Sequence, residues 1–245
     1  MSSTSPLMST DEVATQPLAS ELARIQAVYA RRHDRPVYSI FEPAQLLAIQ
    51  ERERELLRML SARGIATLES SKILEVGCGT GIWLREFVRW GARPENVTGV
   101  DLLPERIAEA RRLSPPQIKL ECGSATQLKS GNAEFDFVVQ STVFTSILDP
   151  RVKTQVAGEM LRVLKPKGCI IWYDFRFNNP RNPDVRGIKS KEVRSLFPGC
   201  RVEFHKVTLA PPLARRVARS SRTLHAILCS IAVLRTHYLA LITRI

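Results

Sequence analysis

Nothing in this 245-residue chain constrains its fold more than the run Ile73-Leu74-Glu75-Val76-Gly77-Cys78-Gly79-Thr80-Gly81. The largely apolar Ile-Leu-Glu-Val start reads as a short strand, and a helical pattern begins near Ile82. The three glycines between them permit positive φ and let a ligand approach the backbone, while the helix start offers free N–H groups. A tight strand-to-helix connection would use the same residues. Asp101 adds what such a connection does not need. It closes the next strand pattern twenty residues after Gly81, where a carboxylate can accept both hydroxyls of a ribose.

From Lys72 onward, short β-branched or apolar runs alternate with helical patterns, which predicts βαβ units on a parallel sheet. Strands are expected at 73–76, 97–100, 118–121, 135–140 and 169–174, with helices at 82–90, 104–113 and 152–164. Lys165-Pro166-Lys167-Gly168 reads as a helix stop. A short helix near 189–196 and strands at 201–209 and 237–243 complete a doubly wound α/β fold with a mostly parallel seven-stranded sheet. Ahead of it, residues 1–19 are expected to be disordered and 20–70 to form a helical cap, its first helix capped by Ser20 and its second running from Glu42-Pro43 to Gly64. Residues 71–245 form the main domain.

The Gly-rich turn discriminates between ligands. A dinucleotide fingerprint wants Gly or Ala three residues after its second glycine, and Ile82 stands there after Gly79. Glu75 also directs negative charge at the helix N-terminus, which suits a cationic ligand better than a pyrophosphate. Glu75-x-Gly77-x-Gly79-x-Gly81 resembles the first motif of class I S-adenosylmethionine (SAM)-dependent methyltransferases, and the similarity runs from about Lys72 to Asp174.

That resemblance implies roles for residues of this chain. Gly77, Cys78, Gly79 and Gly81 would wrap the methionine part of SAM, and Glu75 would hold its ammonium through water. Asp101 would take the ribose hydroxyls and Leu102 would cover the adenine. In the Gly123-Ser124-Ala125 stretch, Ser124 departs from the acid usual in the family, which leaves Ala125 and the backbone to bind adenine. Gln140-Ser141-Thr142 would stand where methionine and acceptor meet. The Asn/Asp-Pro-Pro-Tyr/Phe run of amino-group methyltransferases is absent there, which favours oxygen as the acceptor atom over carbon or another nitrogen.

An acceptor hydroxyl of low acidity would need a base. The candidates are His33 and Asp174, each with an ordinary structural alternative, and Tyr38 is a candidate substrate contact. The activity expected is O-methylation of a small-molecule or saccharide acceptor, free or lipid-linked. The alternatives are quinone, lipid-headgroup, RNA or protein methylation, or a SAM-binding module without catalysis.

The net charge of +12 is uneven: from Arg201 onward there are eight Lys and Arg against one acid, Glu203. Within 210–234, Leu213, Val217, Leu224, Leu228 and Ile231 recur at helical steps beside Arg215, Arg216, Arg219 and Arg222, predicting one basic amphipathic helix inserted before the last strand. That insert is a candidate for peripheral contact with an anionic membrane, for dimerisation, or for plain packing. Nucleic acid is a weaker partner, since aromatics are not interleaved with the arginines. The oligomeric state stays open. The longest uncharged stretch near the C-terminus, 223–234, is twelve residues, against roughly 20 needed to cross a bilayer. The five scattered cysteines suggest neither disulfides nor a metal site, and no leader pattern is present, so a cytoplasmic protein is expected, peripheral at the inner membrane face if the insert binds lipid.

Overall fold

The computed structural model describes residues 10–31, 39–180 and 182–245. Helices α1 (Thr10–Ala30) and α2 (Pro43–Ala62) precede a sheet of seven strands: β1 (Ile73–Val76), β2 (Val97–Asp101), β3 (Lys119–Cys122), β4 (Phe135–Ser141), β5 (Leu164–Phe175), β6 (Cys200–Leu209) and β7 (Arg235–Arg244). Helices α3 (Ile82–Arg89), α4 (Pro104–Leu113), α5 (Pro150–Val163) and α6 (Ser190–Leu196) connect the strands, and α7 (Pro211–Ala218) and α8 (Arg222–Ser230) separate the last two. The strand order is β3-β2-β1-β4-β5-β7-β6. Strands β1 to β5 are parallel, and β7 runs antiparallel between β5 and β6.

Central parallel strands are covered on both faces, so they read as nearly unbroken apolar runs. One face of the sheet carries Leu74, Val138, Ile170 and Trp172 against α5 and α6, with Phe144, Trp172 and Phe197 forming an aromatic cluster. The other carries Ile73, Val97, Val139 and Ile171 against α2 and α3. Leu56, Met59 and Leu60 of α2 are buried in that second layer, so this helix is part of the main core.

Three expectations about the elements need correction. Residues 10–19, expected to be disordered, belong to α1, and Ser20 lies inside that helix and not at its cap. Alanines at 14, 19, 23, 27 and 30 supply the helical propensity that the Ser- and Thr-rich start obscured; residues 1–9 lie outside the described residues. The helix does stop ahead of Lys165–Gly168, at Val163, but the strand begins at Leu164 and not at 169, so this segment is already extended chain of β5, next to a register shift between Phe135 and Phe137. The insert is two short helices followed by a 3-10 turn (Ala232–Leu234) instead of one helix. Ser220-Ser221 breaks it, and the Ser221 hydroxyl caps α8 by accepting from the Leu224 N–H at 3.1 Å.

Candidate functional site

The strand order reverses about β1: successive strands run outward through β2 and β3, then jump back to β4 on its other side. Ligands in such sheets bind outside the carboxyl ends at this switch point. A cavity of about 220 Å³ opens there. Gly77 and Gly79 line it from the first turn, Asp101, Leu102 and Leu103 from the end of β2, and Ser124 and Ala125 from the loop after β3.

The first turn has the shape its glycines predict. Gly77 (φ +68°) and Gly79 (φ +53°) are left-handed, and a Cβ on Gly77 would lie 2.4 Å from Val143 Cγ2. Asp101 is fixed under the turn. Its Oδ2 accepts from the Gly79 N–H at 2.8 Å and its Oδ1 from the Leu103 N–H at 3.0 Å, which leaves further lone pairs on both oxygens for ligand hydroxyls. Burial raises its pKa, against those two amides.

Glu75 lies beneath the turn and outside the cavity wall. It is buried, and its Oε2 has no hydrogen-bond partner among the described residues. Burial first, then the charge of Asp101, pushes its carboxyl well above the usual range, against Arg52, whose guanidinium lies 4.3 Å over the Trp83 ring. An unpartnered acceptor beneath the turn, an anchored carboxylate beside it and two positions without Cβ suit a ligand with a cationic amine and vicinal hydroxyls. Cys78 is buried, outside the wall, and its thiol is pushed up by that burial, so it serves packing. Gly81 starts α3 in a left-handed conformation, also behind the wall.

The far wall comes from elements that carry no motif. The turn after β4 contributes Thr142, Val143 and Ser146, and α1 contributes Leu22, Ile25 and Tyr29. Thr142 has φ +59°, an outlier for a β-branched residue, and is held by its N–H to the Tyr173 carbonyl at 2.8 Å. Tyr29 Oη and Ser146 Oγ are 3.0 Å apart. Helix α1 is latched over the opening: Arg24 donates to the Ser146 carbonyl at 2.6 Å, and Glu21 accepts from the Leu148 and Asp149 amides. Burial opposes ionisation of Glu21, but Arg24 and the Leu148 amide hold its carboxyl below the ordinary range.

Gln140 and Asp174, expected at the reacting centre, stand behind the cavity wall. Gln140 is fully buried, with its Oε1 accepting from the Val143 N–H at 3.1 Å. Asp174 is fully buried too, and its Oδ1 accepts from the Thr145 hydroxyl. Both residues shape the turn after β4 by hydrogen bonds to it. Burial raises the Asp174 pKa to about 7. His33 and Tyr38 lie outside the described residues.

Residues 73–168 match a family described as a methyltransferase domain. The chain is 31% identical over 138 residues to 2-methyl-6-phytyl-1,4-hydroquinone methyltransferase of Synechocystis sp., covering 55% of this chain and 42% of that protein. It is 28% identical over 150 residues to ubiquinone biosynthesis O-methyltransferase of Parvibaculum lavamentivorans, covering 58% and 57%. The match thus spans about half the length of these curated relatives. Among solved structures, a putative sarcosine dimethylglycine methyltransferase from Galdieria sulphuraria superposes with a TM-score of 0.58 at 19% identity, over 78% of this chain and 84% of that one. At that identity the likeness is one of fold.

Proposed function

Because this chain carries a class I SAM-dependent methyltransferase domain, we propose that it methylates a ring hydroxyl, phenolic or hydroquinone, on an apolar, lipid-linked acceptor. The observation that carries the acceptor class is the far wall of the cavity. Leu22, Ile25, Val143, Ile147, Val152 and Val156 surround a few hydroxyls. A saccharide would leave many of its polar groups unpaired there, at about 1–3 kcal/mol each. The names of the two curated relatives, a hydroquinone methyltransferase and a ubiquinone biosynthesis O-methyltransferase, support an acceptor of the quinone class, and the second supports oxygen as the methylated atom.

SAM, when bound, supplies a methyl group already activated on a positively charged sulfur. Asp101 would hold its ribose, Gly77 and Gly79 would admit its methionine part, and Glu75, behind the wall, would reach its ammonium through water. The protein's task is then to exclude water and hold the acceptor in line, which can contribute about 7–11 kcal/mol. Asp101 is the only carboxylate lining the cavity among the described residues. A phenolic hydroxyl, with a solution pKa of about 10, suits such a site because it loses its proton more readily than an alcohol. The Tyr29 and Ser146 hydroxyls can donate a hydrogen bond to the phenolate oxygen left when that proton goes to solvent.

Calorimetric titration with SAM and its demethylated product tests the cofactor half, with saturable binding expected in the wild type and at least tenfold weaker binding in Asp101→Ala. No binding by the wild type would overturn it. Turnover of short-chain hydroquinones and phenols against matched saccharides tests the acceptor half, and a preference for the saccharides would overturn that half alone.

A further inference from the structure

Two elements that the cavity does not use meet at the edge of the sheet where it opens. Strand β6 runs parallel to β5, so the chain leaves it into α7 and α8 at the carboxyl edge shared with β1 and β4. The start of α2 is brought there by packing on α7: Ala44 and Leu47 meet Ala214, Val217 and Ala218, and Glu42 pairs with Arg219 at 2.6 Å. Between them lies a cleft of about 560 Å³, with Phe41 and Pro43 on one side and Arg219 and Arg222 on the other.

Large apolar side chains stand in solvent around this cleft. Phe41 is 93% exposed and Val233 69%, and Ile40 is exposed as well. Leu224, Ile227 and Ile231 form an exposed stripe along α8 and just past its end, at steps of three and four residues, while the opposite side of the helix buries His225. Beside them, Arg215, Arg216 and Arg222 are exposed and make no ion pair among the described residues. No Asp or Glu occurs anywhere in 204–245. Large apolar side chains left in solvent on neighbouring elements mark an interaction site, and exposed arginines without an ion pair on the same elements specify a partner that is both apolar and anionic. A lipid bilayer with acidic headgroups has both properties. A second copy of this chain would set unpaired arginines against each other, and RNA would leave the aliphatic stripe in water.

We propose that Ile40 and Phe41, together with residues 210–234, form a docking surface for an anionic membrane and turn the mouth of the cavity toward it. The surface stands on its own geometry; its use, to present the site to a lipid-linked acceptor, rests on the function proposed above.

Co-sedimentation of the full chain with phosphatidylcholine vesicles, with and without 30% phosphatidylglycerol, tests the proposal. Binding is expected to the acidic vesicles alone at low salt, and weaker at 0.5 M salt, where charge interactions are screened. The triple variant R215Q/R216Q/R222Q is expected to lose on the order of 100-fold in partitioning, at roughly fivefold per arginine. Phe41→Ser with Ile227→Ser should weaken the binding that persists at high salt. No wild-type binding at low salt would overturn the proposal. So would equal binding by the arginine variant, or a concentration-dependent dimer that the apolar variant abolishes. SAM titration of the same variants separates the two readings: unchanged SAM affinity with lost sedimentation supports docking, whereas vesicle binding by a protein that binds no SAM would sink the function and leave the surface.

Discussion

Asp174 is sealed from water, and its Oδ2 has no hydrogen-bond partner among the described residues comparable to the Thr145 hydroxyl at Oδ1. Burial, outweighing the bond from Thr145, lifts its pKa to about 7 from a usual value near 3.8. A carboxyl whose folded pKa is raised takes up protons on folding, so its contribution falls as pH climbs through the window between those values. Asp174→Asn keeps the shape and removes that titration. The wild type is therefore expected to lose, between pH 4.5 and 7.5, stability on the order of a few kcal/mol relative to the variant, measured by urea unfolding of both proteins. Parallel pH profiles would mean that the carboxyl ionises without cost and that its burial has been misjudged. The same residue shows where the sequence misleads. Position at the carboxyl end of β5 is visible from the strand pattern, but whether its side chain enters the cavity or backs its wall depends on the face it occupies, and Thr145, 29 residues earlier, takes that carboxylate. Gly77, Gly79 and Asp101 were legible because backbone conformation and strand-end position are local properties.

Helix α1 has no place in the strand–helix alternation, yet its Leu22, Ile25 and Tyr29 form one wall of the cavity. What turns them there is a polar latch with no sequence signature, Glu21 and Arg24 on one helix turn meeting amides and carbonyls over 120 residues away. Replacing Glu21 by Ala leaves the Leu148 and Asp149 amides without their side-chain acceptor and the Arg24 guanidinium with its carbonyl partner alone, a loss of about 1–3 kcal/mol. That corresponds to roughly 5- to 150-fold faster hydrogen exchange in α1 if the helix opens locally, with β1 and β4 unchanged. Exchange rates in α1 that do not move would show that apolar packing alone holds the helix. The insert between β6 and β7 was misread as one helix for a related reason: the apolar and arginine spacings continue through Ser220-Ser221, while the backbone follows the local cap of Ser221.

At the scale of the whole molecule, the elements expected as a separate N-terminal cap share the core and the site with the sheet. Leu56, Met59 and Leu60 of α2 are buried against β-sheet residues, α1 closes the cavity, and the walls draw on the turn after β1 and on β2, β4 and α5 as well. A ligand in that cavity should therefore stabilise one cooperative unit. At one hundred times its dissociation constant, a ligand that binds only the folded state adds about 2.7 kcal/mol, which for a chain of this size raises the melting temperature by roughly 5–10 °C. Differential scanning calorimetry of the full chain with the demethylated product of SAM is expected to give a single transition displaced by that amount, and a displacement about half as large or smaller for Asp101→Ala at the same ligand concentration. Two transitions, only one of them moved by ligand, would show that α1 and α2 unfold apart from the sheet, in which case the apolar wall that α1 provides would be an appended lid and not part of the folded core that binds the cofactor.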